Sequence, residues 1–194
     1  LDHETMGTGQ LRDHNFVLVD HDLVLRPMTE GDWDVVLEWA DDPEVLWFSE
    51  ADNVEHRTRE EHQAVYRAVS HTPADVFIFE VNGTPMGDGW VQRMNLARVL
   101  DANPGKDCRR VDLQLDRSWW GKGIGTRAIR LLTAHGFGHG ADVIFAVDVA
   151  PDNFASQGAF QANGYKLWGQ VGQPAGAKVP YRFDFLCHGG PLRR

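Results

Sequence analysis

The stretch WWGKGIGTRAIRLLTAHGF, residues 119–137, sets Gly121, Gly123 and Gly125 at alternate positions with Lys122 between the first two. Behind them Ile124, Ala128, Leu131 and Leu132 recur at the spacing of one helical face. Glycines just before a helix leave backbone N–H groups unobstructed, and the helix dipole turns its positive end to the same place. The expectation is an anion cradle to which Lys122, Arg127 and Arg130 add charge; a plain strand-to-helix turn would use the same glycines. Two nucleotide motifs are excluded. A P-loop needs its lysine after the last glycine, and here Lys122 comes before Gly123 and Gly125. The dinucleotide fingerprint G-x-G-x-x-G opens an early βαβ unit, whereas these glycines alternate more tightly and lie in the second half of the chain.

Working outward, CRRVDLQL (108–115) alternates as a strand, with Val111, Leu113 and Leu115 on one face and Arg110, Asp112 and Gln114 on the other. DVIFAVDV (142–149) reads as a buried strand and NFASQGAFQAN (153–163) as a short helix stopped by Gly164, before final strands in YKLWGQ (165–170) and YRFDFLC (181–187). Upstream, a strand over Leu23 to Met28 leads to a helix capped by Thr29 with Asp32, a capping-box variant, whose apolar face is Trp33, Val36, Leu37 and Ala40. Residues 41–57 read as a loop carrying Trp47 and Phe48. A second helix follows, capped by Thr58 with Glu61 and striped with Ala64, Val65, Ala68 and Val69. VFIFEVNGTPMGDGWVQRM (76–94) reads as a hairpin turning at Asn82-Gly83, with a bulge expected at Gly87 and Gly89 that turns Asp88 inward. Residues 95–107 read as an irregular connection. The order β-α-α-β-β-β-α-β-α-β-β places the chain in the α/β (α+β) class, as one domain over residues 21–190 behind an N-terminal extension, residues 1–20, in part of non-native origin.

The net charge of −9 argues against nucleic acid and for a cationic partner. Its distribution is uneven: ten acids and no Lys or Arg fall between Glu30 and Glu55, and the rest of the chain is close to neutral. Cys108 and Cys187 read as reduced core residues. No apolar stretch approaches the roughly 20 residues that span a bilayer, and LDHETMGTGQ has no signal core, so a cytoplasmic protein away from membranes is expected. His135 and His139 have helical i, i+4 spacing, but neighbouring glycines and the lack of a third ligand argue against a metal site; His56 and His62 read as surface residues.

The elements around GKGIGT, together with VDVAPDNFAS and FQANGY, resemble the GNAT superfamily of acyl-CoA N-acyltransferases over nearly the whole chain. The resemblance implies a mixed, mostly antiparallel twisted sheet of six to seven strands flanked by about four helices, with splayed central strands. It implies acetyl-CoA as co-substrate, its pantetheine arm and thioester on Leu113, Gln114 and Leu115. Its pyrophosphate would lie on Gly121, Lys122, Gly123, Ile124, Gly125 and Thr126, with Asn153, Phe160 and Trp120 completing the site. Trp120 stands where Gln or Arg is common in the superfamily.

VDLQL before the glycines, VDVAPDN after them, and VLRPMTEGDWDVVLEWADDPEVLWF near the start are similar to the aminoglycoside 6′-N-acetyltransferases. By that resemblance Asp112 is the base or amine-orienting carboxylate and Asp148 holds a cationic substrate, with Trp47 and Phe48 as a wall. Asp88 joins the substrate set, and two or three acids among Asp34, Glu38, Asp41, Asp42, Glu44, Glu50 and Asp52 are expected to line the site. One position departs from the superfamily: Phe160 stands where a tyrosine often protonates the thiolate, a role left to water or to another hydroxyl such as Tyr181, unless the thiolate, already a fair leaving group, needs little help. Other acceptors remain open, namely a polyamine, a protein N-terminus or a siderophore precursor, as does a non-catalytic coenzyme A binding module. The oligomeric state stands open between monomer and homodimer.

Overall fold

The structure, a computed structural model, describes residues 9–50, 52 and 54–189. Among these lie one eight-stranded sheet and six α-helices. The chain runs β1 (Leu18–Asp20), β2 (Leu23–Pro27), α1 (Trp33–Ala40), α2 (Pro43–Ser49), α3 (Arg59–Ser70), β3 (Ala74–Val81), β4 (Thr84–Arg93) and α4 (Ala97–Ala102). It continues through β5 (Cys108–Leu115), α5 (Ile124–Gly138), β6 (Val143–Val149), α6 (Phe154–Ala162), β7 (Lys166–Gly172) and β8 (Tyr181–His188). The strands lie in the order β1-β2-β3-β4-β5-β6-β8-β7, antiparallel except for the β5–β6 pair.

The count exceeds the sequence expectation by one strand and two helices, each short. In α2, Pro43 sits in the first turn behind the N-cap Asp42, where a missing N–H costs nothing, so a helix starts within the expected loop 41–57. The six-residue α4 lies within 95–107. Strand β1 lies in the expected extension, and residues 11–20 are built into the domain: Leu11 is buried, and Arg12 donates to Ser70, Ala74 and Asp75. Residues 1–8 and Gly190 lie outside the described residues.

Period-two alternation divides the sheet between two faces. Leu23, Leu25, Phe77, Phe79, Val91 and Val111 pack under α5 and α6. Val76 and Ile78 pack under α1 and α3, and Cys108, Val143 and Phe145 meet Val99 of α4. Burying each large side chain contributes about 1.5–3 kcal/mol. The hairpin turn holds Asn82 and Gly83 at φ 50° and 79°, the conformation Asn-Gly favours. The register shifts between Phe79 and Glu80, which pair with Gly87 and Pro85, so the extra residue is Met86 on β4, one position before the expected bulge. Gly87 and Gly89 stay in register and are small for another reason: a Cβ at either would meet the β5 backbone at 2.6 and 2.7 Å. No helix is long and apolar enough to cross a membrane among the described residues.

In α1 the buried face is Trp33, Val36, Trp39 and Ala40, with Leu37 only half-buried. The face of α3 departs further. His62, Tyr66 and Ser70 point inward at i, i+4 and i+8, while Ala64, Val65 and Ala68 are exposed. The inner side of this helix is polar because its partners are polar: His62 meets Asp41, Tyr66 donates to Asp88, and Ser70 accepts from the Arg12 N–H.

Candidate functional site

Strands β5 and β6 pair only over Cys108–Arg110 and Val143–Phe145. Beyond that point they part, although β5 continues to Leu115 and β6 to Val149. The gap opens into a cavity of about 810 Å³ that reaches from the start of α5 to α2 and α3. A bulge between Ala146 and Val149 helps turn β6 away, with Asp148 in the left-handed region at φ 56°. That conformation is held from β8: Asp148 N–H donates to Asp184 at 3.0 Å, and Arg182 donates to the Asp148 carbonyl at 2.7 Å.

The start of α5 forms one end of the cavity. Gly121 and Gly123 have φ 74° and 78°, which side chains resist, and α5 begins with no side-chain cap. Gly121, Gly123, Ile124, Gly125 and Thr126 all line the cavity, as do Leu113, Gln114, Leu115, Trp120, Asn153 and Phe160. Lys122 lies over the Trp119 ring, 4.8 Å from its centre. Arg127 and Arg130 do not serve the cradle: Arg127 is bound by Asp20 and Asp22, and Arg130 by Asp20. Lys122 stands outside the lining, so the positive end here is that of the backbone dipoles. Trp120 donates its indole N–H to the Leu115 carbonyl at 3.0 Å, and Asn153 caps α6 by accepting from Ser156 N–H at 3.1 Å.

Asp112 and Asp148 line the cavity from the two parting strands. Neither is free. Arg110 grips both Asp112 oxygens at 2.7 Å, and Arg98 bridges Asp148 and the buried Asp184. Phe48 lines the cavity and meets Trp120 edge-on at 6.0 Å. Trp47 stands outside the lining, its indole N–H on Asp152 at 3.1 Å and its ring under Lys178. Asp88 turns inward but also stands outside the lining, fully buried behind it.

Of the seven acids among which two or three were expected to line the site, Glu50 alone does so, paired with Arg57. Asp34 pairs with Arg59 and Asp42 and Glu44 with Arg117, while Asp41 accepts from the Arg57 N–H and pairs with His56 and His62. His62 is buried, not a surface residue. Burial works against the charge of Asp41, yet these donors hold its carboxyl below the usual range. Five of these seven acids thus have basic partners that lie beyond residue 55 in sequence.

Phe160 is buried at the cavity wall with its ring edge-on to Tyr165, whose hydroxyl is bonded to Thr133 at 2.7 Å. Tyr181 does not line the cavity, so of the three tyrosines only Tyr66 does. Tyr66, Arg98, Arg110, Arg182 and Asp184 were missed by sequence reasoning. Among the described residues, no three His, Cys, Asp or Glu side chains are grouped to hold a metal ion.

The family model for the acetyltransferase (GNAT) domain matches residues 22–166. A search of curated proteins found no match. Among solved structures, RimL, a ribosomal L7/L12 alpha-N-protein acetyltransferase in complex with coenzyme A, superposes with a TM-score of 0.71 at 15% identity over 89% of this chain and 98% of its own. The aminoglycoside acetyltransferase AAC(6′)-Ib in complex with coenzyme A and kanamycin gives 0.65 at 21% identity over 86% and 94%. YncA from Salmonella typhimurium, a putative acetyltransferase with acetyl-CoA, gives 0.69 at 14% over 90% and 98%. At these identities the superpositions speak for the fold.

Proposed function

The chain belongs to the GNAT acetyltransferases, and on that premise we propose that it moves the acetyl group of acetyl-CoA onto the 6′-amino group of an aminoglycoside, a modification that confers resistance to the antibiotic. The observation that carries the cofactor half is the opening between β5 and β6 above an uncapped α5 N-terminus with two left-handed glycines. Such a cradle takes a pyrophosphate on backbone N–H groups. Unpaired N–H and C=O groups of β5 beyond Arg110 offer the pantetheine amides a strand to bond, and a free N–H there would polarise the thioester carbonyl as charge develops.

The acceptor half rests on Asp112 and Asp148, which line one cavity from opposite strands. Each Asp112 oxygen accepts one bond from Arg110 and keeps a lone pair with which to orient an amine N–H. The structural likeness to AAC(6′)-Ib, solved with coenzyme A and kanamycin, supports the same acceptor class. A second reading has one observation in its favour: Arg57, Arg110 and Arg182 line the cavity beside the carboxylates. A peptide N-terminus, amine and carbonyl together, fits such mixed charge, and RimL shares the fold.

Incubation with acetyl-CoA and kanamycin, tobramycin, spermidine or a peptide amine, followed by free-thiol release, separates the readings. Release with the aminoglycosides and loss of it in Asp112→Ala are expected. Release with the peptide alone moves the assignment to the second reading, and coenzyme A binding without release from any amine would leave a binding module.

A further inference from the structure

Tyr66 and Asp88 take no part in the reading above, yet they join the cavity to a buried carboxylate. Tyr66, on α3, lines the cavity and donates its hydroxyl to Asp88 Oδ2 at 2.8 Å. The same oxygen accepts from Trp39 of α1 at 2.7 Å and from Gln114 of β5 at 3.1 Å. Gln114 also donates to the Tyr66 hydroxyl oxygen. Asp88 is 0% exposed, and its Oδ1 has no hydrogen-bond partner among the described residues. A carboxylate so placed is a buried charge with half of its acceptor capacity unused, and it gains by taking a proton. Tyr66 oxygen accepts one bond and donates one, which leaves a lone pair for a donor arriving in the cavity.

We propose that Tyr66 and Asp88 form the relay that removes the proton from the acceptor ammonium, Tyr66 as the catalytic residue and Asp88 as the positioning residue behind it. The proposal rests on the acetyltransferase reading. The ammonium passes one proton to Tyr66 Oη as the phenolic proton crosses to Asp88 Oδ2. The freed nitrogen lone pair attacks the thioester carbonyl carbon, the C–N bond forms, and the C–S bond breaks with its electron pair on sulfur. A second nitrogen proton goes to the thiolate. The products are an amide, a free thiol and a protonated Asp88, which returns its proton to solvent through Tyr66. Asp112 is left to orient the ammonium through the lone pair that each oxygen keeps beside its bond to Arg110.

The surroundings suit the task. Burial raises the Asp88 carboxyl to about 6, against the pull of its three donors. It is therefore ionised at neutral pH while holding a proton more firmly than an ordinary carboxylate does. Burial and the Asp88 charge push the Tyr66 hydroxyl well above its usual range, so it stays protonated until it relays. The other titratable and charged groups on this side come as pairs. His62 lies one turn earlier on α3, bonded to Asp41; Glu50 follows α2, held by Arg57; Arg110 and Asp112 come from β5. From α1 and β3 the immediate neighbours of Asp88 are Trp39 and Ile78, which carry no charge.

Three measurements test the relay. The first needs no acceptor: carbon-13 carboxyl NMR of the full chain, with Asp88 assigned by its absence from Asp88→Asn or its displacement in Tyr66→Phe. A midpoint near 6 is expected, and one near the ordinary value of about 4 overturns the proposal. The second follows kcat against pH for two acceptor amines of different basicity. An acidic limb at the same pH for both supports the relay, and a limb that tracks the amine overturns it. In the third, Tyr66→Phe lowers kcat about 100-fold with the KM for acetyl-CoA unchanged. A kcat within about twofold of the parent, or a fall with the acidic limb in place, refutes the relay. If no acceptor releases thiol, the acetyltransferase reading fails on its own terms, and the NMR midpoint still decides whether Asp88 is the buried base described.

Discussion

Replacing Gly89 with alanine forces a methyl group into a close approach between β4 and β5. The added Cβ meets the Asp112 carbonyl oxygen at 2.7 Å, Phe79 Cζ at 2.7 Å and Leu113 Cβ at 2.9 Å. None of these atoms is the loose end of a flexible side chain. Phe79 is fully buried, and the other two belong to a strand held to β4 over seven residue pairs. Overpacking costs about 1–3 kcal/mol, here near the top of that range, and the stiffer unfolded chain returns about 0.5 kcal/mol. The net loss is about 2 kcal/mol, which lowers the urea midpoint by roughly 1 M for a domain of this size. Relief of the clash shifts β5 at Asp112 and Leu113, on the cavity wall, so acetyl-CoA binding measured by calorimetry weakens as well. Gly158→Ala is the control, since Gly158 is exposed within α6 and its added Cβ meets nothing within 4 Å. It raises stability by about 0.5–1 kcal/mol. A Gly89→Ala midpoint equal to that of the parent chain, or a Gly158→Ala loss as large as that of Gly89→Ala, refutes the packing account.

Two further outcomes are expected. Phe160→Tyr adds a hydroxyl at the cavity wall and keeps or raises turnover; a large fall with acetyl-CoA binding intact would count against the placement of that residue beside the thiolate. Acid should unfold the chain through Glu30 and Asp75. Hydrogen bonds from Arg67, working against some burial, bring Glu30 to about 2. At Asp75 burial is outweighed by His135 and Arg12, which also bring it to about 2. Both folded values lie below the unfolded ones, so the stabilisation is full above about pH 4.5 and fades as pH falls toward 2. Acid titration of Asp75→Asn followed by circular dichroism should show a shallower loss over that window, and an unchanged profile would exclude Asp75 as a contributor.

Most of the fold was legible because its signals are local. Asn82-Gly83, the Thr58 and Glu61 capping box and the apolar face of α5 each depend on residues a few positions apart. The glycines of 121–125 belong with them, since the absence of a Cβ decides which backbone angles are open. What escaped was short or polar. β1 has three residues, and α2 opens with a proline. Tyr66 was hidden because apolar periodicity favours the side of α3 carrying Val65 and Ala68, whereas the helix turns its polar side inward.

The sequence by itself determined the family resemblance, the glycine cradle and the two strands that flank it. Which charges remain for a ligand was decided by tertiary structure alone. Arg127, six residues past the first cradle glycine, is claimed by Asp20 and Asp22 more than a hundred residues away, and Asp42 and Glu44 are claimed by Arg117. Trp39, Tyr66 and Gln114 meet on Asp88 from three separate elements. Coulomb attraction and hydrogen bonding act over a few ångströms of space, without regard to distance along the chain. A list of acids therefore says how much charge is present, and only the fold says which of it is still unspent.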